Sequence, residues 1–115
     1  MVEEKEYKVE KMIVEEEEIV DTAEGTENDL DFENILSSRG RVKILKLLAL
    51  NIEMNISRIM EETALNHTSV ISHLNYLVKI GFIQEKKYGR IKIYRFREEN
   101  LKAKALQNLI KFWQS

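Results

Sequence analysis

Between His67 and Lys79 the chain places His67, Thr68, Ser69, Ser72, His73, Asn75, Tyr76 and Lys79, all able to hydrogen-bond and none a carboxylate. At about 100° per residue on a helix, Thr68, Ser69, Ser72, Asn75, Tyr76 and Lys79 share one arc. Val70, Ile71, Leu74, Leu77 and Val78 fall on the opposite arc and face a core. Short hydroxyls and an amide can meet base edges and an ammonium can meet phosphate, so this acid-free face suits the major groove of double-stranded DNA. His67, in the first turn, is placed to approach phosphate. The plainer reading of the same arc is a solvated helix face.

The two histidines invite a metal or catalytic reading, and spacing argues against both. Six residues apart, they diverge by about 240° around a helix, unlike the i, i+4 pair that shares a ligand. Ser69 and His73 are i, i+4 neighbours, but no acid is placed to orient the imidazole and no oxyanion site is evident. His73, at the edge of the apolar arc, reads as a packed structural residue. No catalytic residue, metal ligand or cofactor site is expected.

A second cluster of chemistry lies further along, where Lys86, Lys87, Tyr88, Arg90 and Lys92 surround Gly89. The runs 82–87 and 91–96 favour strands, and Gly89 can supply the positive φ of a tight hairpin. The cations at its tip suit a DNA backbone or minor groove, although a hairpin edge protected by lysines would look similar.

Other elements must hold these two clusters in place. Phe32, Ile35 and Leu36 are spaced for a short first helix. Ser37 or Ser38 can cap a second, in which Val42, Ile44, Leu45, Leu47, Leu48 and Leu50 are apolar over most of the circumference, ending near Asn51. Asn55-Ile56-Ser57 reads as a brief extended segment that delivers Ser57 as the cap of a third helix carrying Ile59, Met60 and Ala64. A short turn at Leu65-Asn66 then leads into the helix 66–80, closed by Gly81. Two short helices so tightly joined make a helix-turn-helix. Residues 98–114 return to helical spacing, with Leu101, Ala105, Leu109 and Phe112 on one stripe and Ala103, Leu106, Ile110 and Trp113 on another. Together they span an apolar arc of about 200°, more than docking on a small domain requires. A homodimer interface through Leu101, Leu106, Leu109, Ile110 and Trp113 is therefore expected; the alternative is a helix packed wholly within one chain.

The 115 residues, with no Cys and no Pro, allow one small domain, α+β and mainly α, and no disulfide or thiolate chemistry. Net charge is −2, but residues 1–31 carry 13 acids against 3 lysines, whereas residues 32–115 carry 15 basic residues against 7 acids. The near-neutral total thus hides a basic domain, 32–114, behind an acidic tail, 1–31. The tail has few large apolar residues, although Val9, Met12, Ile13, Ile19 and Val20 allow a marginal helix between about 6 and 20. It is expected to be a solvated tail, or else to screen the basic face or contact a protein partner. The longest apolar run, Leu47 to Leu50, is too short for a membrane helix, and the acidic start is unlike a signal peptide, which points to a cytoplasmic protein. Abundant Lys, Glu and Ile without Pro hint at an archaeal source.

The order helix, helix, short strand, helix-turn-helix, basic hairpin and terminal helix resembles the winged helix-turn-helix regulators, most closely the ArsR-like type. The resemblance rests on Arg41-Val42-Lys43-Ile44-Leu45-Lys46-Leu47-Leu48, Ile56-Ser57-Arg58-Ile59, Leu65 through Leu77, Gly81-Phe82-Ile83, Gly89-Arg90 and Tyr94-Arg95-Phe96. It implies that helix 66–80 reads DNA, that the two-stranded hairpin 82–96 is the wing, and that the terminal helix dimerises. Thr68, Ser69, Ser72 and Arg90 inherit the main DNA contacts. Metal-sensing members carry Cys near the third helix, or His and acids on the last, and this chain has neither, so the resemblance implies a transcriptional regulator without the metal sensor. The alternative is a winged-helix protein–protein interaction module without direct DNA readout.

Overall fold

Ser38 sits in extended backbone and its hydroxyl accepts from the Arg41 N–H at 3.2 Å, which starts the central helix. In the computed structural model, which describes residues 30–115, the elements are α1 (Phe32–Ile35), α2 (Arg39–Asn51), β1 (Glu53–Asn55), α3 (Ile56–Thr63), α4 (His67–Lys79), β2 (Ile83–Tyr88), β3 (Ile91–Phe96) and α5 (Leu101–Gln114). The expected acidic tail and its marginal helix fall almost entirely outside the described residues.

Of the apolar arc of α2, Ile44, Leu45 and Leu48 are fully buried and Ala49 joins them, while Val42 and Leu47 are half-buried. They meet Val70, Leu74 and Leu77 of α4, Ile59 of α3, and Phe82, Ile83, Tyr94 and Phe96 from the sheet side. The core thus grips the inner face of α4 and leaves its outer face to solvent.

Two local expectations are corrected. The cap of α3 is Asn55, whose Oδ1 accepts from the Arg58 N–H at 2.8 Å, and not Ser57. The reason is that residues 53–55 do not merely extend: they pair antiparallel with β3, Glu53 against Arg95, Met54 against Tyr94 and Asn55 against Ile93. Asn55 is therefore held in extended backbone, and the helix starts immediately after it. The wing consequently belongs to a three-stranded sheet in the order β1-β3-β2, not to an isolated pair. A third strand anchors the base of a hairpin that is marginal alone.

The turn of the helix-turn-helix is made by Ala64, in the left-handed region at φ 61°, and by Asn66, whose Oδ1 accepts from the Ser69 N–H at 2.8 Å. Helix α4 passes so close to the start of α2 that a Cβ on Gly40 would lie 3.2 Å from His73 Nε2 and 3.3 Å from a Leu65 methyl. A methyl there would require the His73 ring and the Leu65 side chain to shift by a few tenths of an ångström. At the other end of the chain, α5 is fixed partly by a polar contact: the fully buried Gln107 donates to the Ala49 carbonyl at 2.9 Å and to Glu98 Oε2 at 2.9 Å. Asn100 caps α5 and also donates to the Gly81 carbonyl at 3.0 Å.

Candidate nucleic-acid interface

Helix α4 presents His67, Thr68, Ser72, Asn75 and Lys79 as exposed side chains on one face, with Ser69 and Tyr76 half-buried at its margin. The helix contains no Asp or Glu, so its outer surface carries no charge that repels phosphate. Tyr76 is already engaged: the Arg41 guanidinium lies 3.8 Å above its ring centroid. The same guanidinium donates through Nη1 to the Asn34 carbonyl, so one side chain of α2 ties α1 to the margin of the α4 face. Nothing in the local sequence signals this contact, because the partners are brought together only by packing of α2 against α4.

His73 is half-buried, with Nε2 3.4 Å from the Ser38 hydroxyl. This is the packed position expected for it. Burial, and then the nearby Arg41 cation, lower its pKa from 6.5. The sign of the linkage follows: as pH falls below 6.5 the unfolded chain takes up a proton before the folded one does, so the stabilisation is present above that value and is lost in more acid solution. The melting temperature should therefore drop more between about pH 7 and about pH 5 in the wild type than in His73→Gln. Parallel melting curves would remove His73 from the acid response.

The hairpin divides its cations into two kinds. Lys86 pairs with Glu53 at 3.2 Å and Lys92 with Glu85 at 3.5 Å. Lys87 and Arg90 are exposed, and neither forms an ion pair among the described residues. The turn itself is Gly89-Arg90, with Gly89 at φ 65° and Tyr88 directly opposite Ile91. At the root of the wing, Glu99 bridges Arg95 at 3.1 Å and Arg97 at 2.9 Å. Burial alone would raise the Glu99 pKa, but hydrogen bonds from Arg97, the backbone and Arg95 outweigh it and hold the carboxyl at about 2.

The residues expected at a dimer interface separate into two sets. Leu106 and Ile110 are half-buried against the core, whereas Leu101 and Leu109 are half exposed and Trp113 is 76% exposed, with Phe112 beside it at 75%. A groove of about 230 Å³ runs between α2 and α5, walled by Leu36, Val42, Leu45, Leu106, Leu109 and Trp113. Among the described residues there is no group of three or more His, Cys, Asp or Glu placed to hold a metal ion, and no helix long and apolar enough to cross a membrane.

Two helices joined at Ala64, the second offering an acid-free polar face beside a partly cationic hairpin, define a winged helix-turn-helix. Residues 38–85 match the family model for the bacterial regulatory protein, arsR family. A possible transcriptional regulatory protein from Mycobacterium bovis is similar in structure at a TM-score of 0.57 and 26% identity, over 69% of this chain and 82% of that one. An ArsR family transcriptional regulator gives a TM-score of 0.51 at 22% identity, over 70% and 84% of the two chains, and a Mycobacterium tuberculosis protein gives 0.55 at 19%, over 69% and 80%. The last two speak to the fold alone. No curated protein sequence matches significantly. The chain therefore has a winged helix-turn-helix fold, and over residues 38–85 it is similar to the arsR family of bacterial regulatory proteins.

Proposed function

We propose that this regulator binds double-stranded DNA as a homodimer, with α4 in the major groove and the β2–β3 wing on the backbone or minor groove. The observation that carries the reading is the exposure of Thr68, Ser72, Asn75 and Lys79 on a helix free of carboxylates. Thr68, Ser69, Ser72 and Asn75 supply base-edge contacts, with Tyr76 at the margin. His67, Lys79, Lys87 and Arg90 meet phosphate, while Lys86 and Lys92 must exchange an ion pair for one. A twofold dimer sets two copies of α4 about 34 Å apart, on successive turns of a pseudo-palindromic site. The excess of 13 acids over 3 lysines in residues 1–31 supports a screening role for that segment against non-specific DNA.

Fluorescence anisotropy with random-sequence duplex across a salt series tests the reading. If each protomer neutralises about two or three phosphates, log K should fall against log salt with a slope of about −4 to −5, a loss of about 10²–10³ in affinity between about 50 and 200 mM. Binding that ignores salt would contradict it.

A further inference from the structure

The wing tip has two chemically different faces. Side chains alternate along each strand, so cross-strand partners share a face. Lys87 opposite Lys92 lies on one face, continuing outward from Tyr94 and Phe96, which are buried. Tyr88 opposite Ile91, followed by Ile93 opposite Lys86, lies on the other. Tyr88 is 59% exposed and Ile91 is 55% exposed, and neither joins the core. A hairpin edge shaped only for solubility would carry polar groups at these positions. Instead, two large apolar side chains flank the turn, within two residues of Lys87, Arg90 and Lys92.

Charge complementarity identifies the occupant. A protein groove would need acids of its own along both rims to match the cations beside this apolar tip, whereas DNA supplies an anionic phosphate rail on each side. Width limits the depth of entry. Hairpin strands lie about 4.8 Å apart before their side chains are counted, and the minor groove of B-DNA is about 6 Å wide, so only the residues around the turn can enter. Those residues are Tyr88, Gly89, Arg90 and Ile91.

We infer that the wing tip is a minor-groove wedge: Tyr88 and Ile91 press an apolar surface against a base step and bend the duplex, while Lys87 and Arg90 hold the flanking phosphates. Apolar wedges partly unstack a step and kink DNA by about 20–90°, and pyrimidine–purine steps such as TA yield most easily. The wing then contributes sequence preference through deformability, without hydrogen bonds to bases. This rests on the DNA-binding reading above.

The test uses the full chain and duplexes labelled at both ends, so that anisotropy reports binding and energy transfer reports bending. Two duplexes differ only beneath the wing, one with a TA step and one with a stiff A-tract. The wild type should bend the TA duplex and prefer it about tenfold. Tyr88→Ala and Ile91→Ala should at least halve the bend and bring the preference close to one. Ile91→Lys keeps the site cationic without the wedge, and should bind with little loss while bending less. Because both positions are exposed, an unchanged melting temperature certifies each variant as folded. Binding without a bend, or a bend that survives both alanine variants and Ile91→Lys, overturns the wedge and leaves the DNA-binding reading standing. Failure to bind any duplex overturns both.

Discussion

Ser72→Ala and Asn75→Ala should each weaken binding to the preferred duplex by about 1–3 kcal/mol, roughly 5–150-fold, while changing affinity for random duplex far less. Both side chains are exposed on α4 and neither supports the core, so the loss reports contacts with DNA and not unfolding. Asparagine can meet an adenine edge through two hydrogen bonds, and serine offers one hydroxyl, so Asn75 should show the larger effect. Arg90→Ala should behave differently. It removes a cation from the wing turn and should lower affinity for every sequence alike, with the salt slope reduced by about 1 per protomer. The measurement is a selection from a random duplex pool, followed by anisotropy on the winner and on a scrambled control at one fixed salt concentration. Equal losses on both duplexes for Ser72→Ala and Asn75→Ala would show that α4 does not read bases.

The contrast between these variants depends on Tyr76 and Arg41 as well. With its guanidinium stacked on Tyr76, bonded to the Asn34 carbonyl and capped at its backbone by Ser38, Arg41 fixes the margin of the exposed α4 face. The Ser38 cap is a local signal, but the stacking of Arg41 on Tyr76 was not legible in the sequence, because residues 35 apart carry no periodic relation to one another. The same limit explains the other gaps. Periodicity alone revealed the inner arc of α4, the buried face of α2 and the helix-turn-helix, because one-face burial imposes a helical repeat. Gly89 marked the hairpin turn because its positive φ is a local demand. By contrast, β1 is three residues long, too short to show alternation, and it becomes a strand only because β3 is there to pair with it. That pairing moved the α3 cap from Ser57 to Asn55. It also brought Glu53 to Lys86, so that a lysine whose composition suggested a phosphate contact already has an acidic partner. Gln107 is the opposite case: a polar residue within an apolar stripe, buried because Ala49 presents a carbonyl to it.

Leu109→Asp combined with Phe112→Asp should convert the protein to a monomer and lower affinity for a full two-half site by about 10²–10⁴, the avidity lost when the second half-site must be bound independently. The argument begins with the division of α5. Ala103, Leu106, Gln107 and Ile110 hold it to the domain, which leaves Leu101, Leu109, Phe112 and Trp113 as a surface that the described residues do not cover. Large apolar side chains grouped in this way on a monomer mark an interaction site. A twofold axis across α5 would bury each such residue twice and would also close the groove between α2 and α5. An introduced carboxylate would meet its own symmetry mate, so each substitution places two like charges in a desolvated interface. Neither position lies in the core, so the variant should keep its helical circular dichroism and melt cooperatively. Its weak binding to single half-sites should match that of one wild-type protomer, with the salt slope roughly halved. Sedimentation velocity at micromolar concentration decides the matter: a wild type that sediments as a monomer, or a double variant that remains dimeric, would move the interface away from α5.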